Sequence, residues 1–150
     1  MAQLNYEAIE QELHDVFLAG FTDRLDADRC QIGDIDHAFE ALRAGDIETV
    51  TDAVVFDFGG GTDKPRRAFG KINWAWVISG VYMIRYHSQI EQSLRNVVSR
   101  IPRLLRTNPR LNGSTPLAYV TEIGDPIIGK MNDISFYFIP FFVEALDQDL

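Results

Sequence analysis

The chain has 150 residues, 46% apolar and 11% aromatic, which suffices for one well-packed domain and is too little for two. A formal net charge of -8 argues against generic nucleic-acid binding, and a single cysteine, Cys30, excludes an intrachain disulfide or a thiolate zinc cluster. No apolar run reaches the roughly 18 residues of a membrane span and the first residues lack a signal-peptide pattern, so the expectation is a soluble, cytoplasmic single domain.

Ile9, Leu13, Val16, Phe17 and Gly20 recur at helical spacing, predicting an amphipathic helix over residues 5–21 with Asn5 as cap and Glu10, Glu12 and Asp15 on its outer face. Residues 22–33 read as polar and irregular. A shorter helix is expected over 35–44, with Ile35, Phe39 and Leu42 inward and Gly45 ending it. The pattern then changes to period two. Ala53-Val54-Val55-Phe56-Asp57-Phe58 reads as a strand closed by three glycines, followed by a basic connection containing Lys64, Arg66 and Arg67. Ile72, Trp74, Trp76, Ile78, Tyr82, Ile84 and Tyr86 alternate along a second, unusually long strand, in which Ser79-Gly80 reads as a bulge or bend. Ser88-Gln89-Ile90-Glu91 has the form of a capping box opening a helix to about residue 105, with Pro102 expected to kink or split it. Strands follow over 117–123 and 134–143. Pro140 cannot donate to a ladder, so the last strand is expected to be an edge, to bulge there, or to end its pairing early. The fold class is α+β: a four-stranded, mainly antiparallel sheet with the N-terminal and central helices on one face. The expected core includes Ile9, Leu13, Phe17, Trp76, Ile78, Val97, Ile101 and Phe138.

No catalytic set is legible in the residues, and no metal site is read. His14, His37 and His87 stand in no ligand spacing, and Asp34 and Asp36 read as capping residues. Gly59-Gly60-Gly61-Thr62-Asp63-Lys64 lacks the spacing and following helix of a phosphate loop. Two features exceed what a monomer needs. Arg95, Arg100, Arg103 and Arg106 form a stripe opposite the apolar arc of the third helix, either a solvated face or a docking surface for acid groups. Consecutive aromatics such as Phe141 and Phe142 point to both faces of a strand, so both faces need cover, from helices or another subunit. Charge is also uneven, at -9 over residues 1–50 and +1 over the remainder.

The Gly33-Asp34-Ile35-Asp36 lead into a short helix, the strand Asp52-Ala53-Val54-Val55-Phe56-Asp57-Phe58 before glycines, the strand ending Met83-Ile84-Arg85-Tyr86, and the closing Ser135-Phe136-Tyr137-Phe138-Ile139-Pro140-Phe141-Phe142-Val143 resemble tail terminator proteins of long-tailed bacteriophages, lambda-like and Mu-like. Related neck, tail-completion and tube subunits share this fold. The resemblance implies a hexameric ring on the head-proximal end of the tail tube, in the virion and, during assembly, the host cytoplasm. Its partners would be other copies of itself, the tube protein and a head-completion protein. It implies no enzyme activity and no cofactor, no membrane association and no sequence-specific nucleic-acid contact, although genomic DNA would pass through the ring. In such a ring the stripe Arg95, Arg100, Arg103 and Arg106 is expected to face Glu10, Glu12, Asp15, Asp23, Asp26 or Asp28 of the adjacent copy. Arg66 and Arg67, on a mobile segment over 59–70, would meet acidic partners, and Phe141 and Phe142 would supply buried contact. The rival reading is a small-ligand-binding or enzymatic α+β domain with its pocket over Trp74 and Trp76.

Overall fold

Two long strands, the alternating one and the last, form the centre of the molecule. The computed structural model describes residues 6–57, 66–68, 73–111, 117–131 and 134–147. In chain order its elements are α1 (Tyr6–Gly20), a 3₁₀ turn (Ala27–Arg29), β1 (Cys30–Ile32), α2 (Ile35–Ala44), β2 (Asp52–Phe56), β3 (Arg66–Ala68), β4 (Asn73–Arg85), α3 (Ile90–Thr107), β5 (Leu117–Ile123), β6 (Ile127–Met131) and β7 (Ile134–Asp147). β4 and β7 pair antiparallel in unbroken register from Trp74 opposite Asp147 to Arg85 opposite Phe136. β2 and β3 share the outer side of β4, and β5 and β6 share the outer side of β7. β1 lies outermost beside β2 and runs parallel to it.

The α+β class therefore stands, but the sheet has seven strands among the described residues and is mixed. The three additional strands are short. β1 lies within the segment read as irregular, β3 within the basic connection, and β6 within the linker before the last strand. None is long enough for an alternation to show.

The sheet is buried on both faces by different helices. α1 and α3 cover one face, where Ile9, Leu13, Phe17, Val97 and Ile101 pack with Ile78, Tyr82, Ile139 and Phe141. α2 covers the opposite face, its Ala38, Phe39 and Leu42 meeting Ala53, Val55, Val81, Met83 and Phe136. The helices are thus not all on one face, which is why β2 is buried at every position instead of alternating. Of the expected core, Phe138 is only half-buried, beside the α2 cluster, and the side chain of Trp76 lies outside the described residues. Glu10 and Glu12 are buried, not outward-facing. They flank the apolar arc of α1 at 100° per residue, and α1 is enclosed by more than the sheet.

Two local expectations change for packing reasons. β4 passes through Ser79-Gly80 without a break, and Gly80 lies directly opposite Phe141. A Cβ there would sit 2.7 Å from Phe141 Cε2, so the glycine makes room for the ring. β7 is central, not an edge. Its Pro140 carbonyl accepts from Gly124 N at 2.7 Å, so the missing Pro140 donor faces the seam between β5 and β6, where no strand requires it. β5 carries the irregularity instead, with a register shift between Val120 and Glu122.

The helix ends are likewise settled locally. Asp34 caps α2 by accepting from His37 N at 3.0 Å, as read from the sequence. α3 runs through Pro102 unsplit, and it has no capping box. Ser88 Oγ instead donates to Glu48 Oε2 at 3.0 Å, fastening the α2–β2 connection. His87, buried at the corner, accepts from Gln89 N through Nδ1 at 3.1 Å. That role places the ring proton on Nε2, which lies 3.2 Å from Ser93 Oγ in the first turn of α3.

Candidate interaction surfaces

The arginine stripe divides into two classes of side chain. Arg100 is not available to a partner. Its guanidinium binds both carboxylate oxygens of Asp23 at 2.9 Å, donates to Gly20 O at 2.7 Å, and lies 4.4 Å from the centre of the Phe21 ring. It straps the end of α1 to α3. The same hydrogen bond holds the Asp23 carboxyl below its ordinary range, so this contribution is present at neutral pH and is lost as pH falls through that lowered value. Arg95, Arg103 and Arg106 are exposed, and none forms an ion pair among the described residues. They occupy an arc of about 80° on the outer side of α3.

The acidic residues expected opposite the stripe are mostly committed within their own chain. Glu10 and Glu12 are buried, and Asp23 belongs to Arg100. Asp15 lies 2.9 Å from His14 Nδ1 and accepts from Gln11; Asp26 caps the 3₁₀ turn; Asp28 lies 3.5 Å from His37 Nε2. The charge of -9 in the first third is thus largely a set of local caps and struts. Exposed carboxylates without an ion pair or side-chain hydrogen bond among the described residues are Asp36, Glu91, Glu122 and Asp125.

Behind the stripe lies a buried polar centre that the sequence did not announce. Asp52, fully buried at the start of β2, accepts from Tyr82 OH and Thr51 Oγ1, each at 2.6 Å, and from Arg24 Nη1 at 3.1 Å. Arg24 also donates to Ser93 Oγ and Asn96 Oδ1 of α3, and the buried Arg29 donates to the Asp52 carbonyl. Burial, and next the neighbouring Asp52, push the Tyr82 hydroxyl well above its ordinary range, so it remains a donor. The network joins the α1 exit, β2, β4 and α3 in one unit. It is enclosed, which suits it to holding α3 in place more than to contacting a substrate.

Exposed large apolar residues lie in several places, Ile47 after α2 and Tyr86 after β4 among them. Ile127 and Ile128 of β6 are 59% and 65% exposed, and Phe142 is 39% exposed on the sheet face beyond α2. Phe141 is fully buried and stacks on Phe17 at 5.4 Å, so it belongs to the core and offers a neighbour nothing. Arg66 and Arg67 pair through their backbones with β4, but their side chains lie outside the described residues. So do the side chains of Trp74 and Trp76, on which the pocket reading rests, and the rest of the segment 59–70 apart from 66–68.

Cys30 opens β1 with its Sγ 3.7 Å from His14 O, and burial pushes its thiol up to about 12. At pH 8 its thiolate fraction falls about a thousandfold below that of a free thiol. Labelling by a thiol reagent is therefore expected only after unfolding; labelling of folded protein at the free-cysteine rate would refute the packing of β1 against α1. Among the described residues no group of three or more His, Cys, Asp or Glu is placed to hold a metal ion, and no helix is long and apolar enough to cross a membrane. The chain matches no family model and no curated protein.

Proposed function

We propose that this protein is a ring-forming structural subunit of a long-tailed phage virion, a tail terminator that caps the tail tube and joins it to the head. A hexameric ring is the assembly this reading entails. The observation that carries it is the presence of two unlike exposed surfaces, an unpaired arginine row on α3 and an apolar, acid-bearing sheet edge at β5 and β6. Head-to-tail contact in a cyclic ring needs two different patches on each subunit, whereas a two-fold dimer needs one self-complementary patch. The resemblance of the closing strand and of the Gly33-Asp34-Ile35-Asp36 segment to terminators supports the same reading. A neck, completion or tube subunit of the same fold would share these features.

Purified protein, alone or with tail tubes, is expected to form annular particles by negative stain and a multi-subunit species by light scattering. Arg103→Glu with Arg106→Glu should slow or block that assembly while leaving the far-ultraviolet spectrum and unfolding midpoint unchanged. Rim charges of this kind set register and association rate more than affinity, so the effect should shrink at high salt. A chain that stays monomeric and leaves tube ends bare would overturn the proposal.

A further inference from the structure

We propose that the β5–β6 edge of one copy docks against the α1–α3 groove of the next, with Glu122 and Asp125 facing Arg103 and Arg106. This rests on the ring reading and names the two halves of its contact. The groove has a volume of about 280 Å³ and lies between the end of α1 and α3. Phe21 and Leu104 form its apolar wall, Asn96, Ser99 and Thr107 give it polar atoms, and Arg103 stands at its margin. The neighbouring Arg100 is already neutralised by Asp23, so Arg103 is the cation of this groove left for an incoming acid, with Arg106 on the next turn of α3 at the adjoining cavity beside Pro102 and Tyr119.

The complementary piece is on the same chain, at the β6 edge of the sheet. β6 pairs only with β7, so its outer backbone groups have no strand partner among the described residues. It presents two consecutive exposed isoleucines, an arrangement that a sheet edge facing only solvent is selected to avoid. The corner that leads into it, Gly124-Asp125-Pro126, carries the exposed Asp125, with Glu122 two residues before that corner. The opposite edge is closed by comparison. β1 has three residues, and its Cys30 carbonyl accepts from His14 Nε2 at 2.7 Å.

A second copy is the occupant that the charges select. Most of the N-terminal acids are engaged at home, Glu122 and Asp125 are unpaired carboxylates beside the exposed isoleucines of β6, and Arg103 lines the groove. Ile127 and Ile128 point to opposite faces of the sheet, so one isoleucine at a time enters a groove while its neighbour lies along the rim. The groove opens on the helical face and β6 lies at the lateral edge, so the contact is head-to-tail.

Sedimentation velocity over a concentration series tests this with Arg103→Asp, Asp125→Arg, the double variant and Ile128→Asp, each checked for an unchanged circular dichroism spectrum. Wild type should form species larger than dimers. Each single charge reversal should weaken association about tenfold, the double variant should recover most of that loss, and Ile128→Asp should abolish assembly. Assembly that ignores all four changes would sink this pairing and leave the ring reading intact. A dimer as the end state would mean a two-fold contact and overturn the pairing. A wild type that stays monomeric at millimolar concentration, even with tail tubes present, would overturn both.

Discussion

Asp52→Ala is expected to destabilise the fold by about 3–5 kcal/mol, the range found when one partner of a buried ion pair is removed. Three side chains converge on this carboxylate, and the variant leaves Arg24 charged with its side chain only 17% exposed, and strands the hydroxyls of Tyr82 and Thr51. The residual access of Arg24 to water places the cost toward the lower end of that range. Tyr82→Phe, which removes one donor and leaves the ion pair, should cost about 1–3 kcal/mol. Urea unfolding with an unchanged denaturant slope measures both. Because Arg24 also binds Ser93 and Asn96, the Asp52 variant should further loosen α3, visible as faster amide exchange there than in α2. A loss below 1 kcal/mol for Asp52→Ala would mean that the network is not the buried clamp described.

The second large effect separates two adjacent phenylalanines. Phe141→Ala should cost about 3–5 kcal/mol, whereas Phe142→Ala should cost less than about 1 kcal/mol. Phe141 is fully buried between Phe17, stacked at 5.4 Å, and Phe56, edge-on at 6.1 Å. Truncating it removes both ring contacts and opens a void that the paired strands β4 and β7 cannot collapse to fill. The converse change has the same origin: Gly80→Ala would drive a methyl into the Phe141 ring and cost about 1–3 kcal/mol. Phe142 points to the other face, beyond the cover of α2, and its loss removes little buried area. Thermal or urea unfolding of the two variants decides the matter; equal losses would contradict the assigned facing of β7.

That facing shows where sequence reading stops. Alternation along the last strand establishes that Phe141 and Phe142 lie on opposite faces, because side chains in a strand alternate whatever the fold. It does not say which face is covered. α2 supplies cover only as far as Val81, Met83 and Phe136, and that follows from where a ten-residue helix lands on the sheet. The lengths and positions of α1, α2 and α3, and the long β4, are written in local periodicity and in residues such as Asp34 that satisfy nearby backbone donors. β1, β3 and β6, of three to five residues, are strands only because a long neighbour offers them a ladder.

Charge divides in the same way. A repeat of arginines at helical spacing on α3 is visible in the sequence, and it correctly opposes the apolar face. Which arginine is free is a tertiary matter, since Asp23 lies 77 positions away in the chain from the Arg100 it neutralises. The same holds for Asp52. Its partners Arg24 and Tyr82 are separated from it by 28 and 30 residues, and a lone acid at the head of an apolar strand gives no sign of them. Local pattern therefore determined the helices, the long strands and the outward row of charge, because those depend on spacings within a few turns or pleats. The buried polar clamp, the two-sided cover of the sheet and the choice of free arginines were decided by folding alone, because each requires groups from distant segments to meet in space.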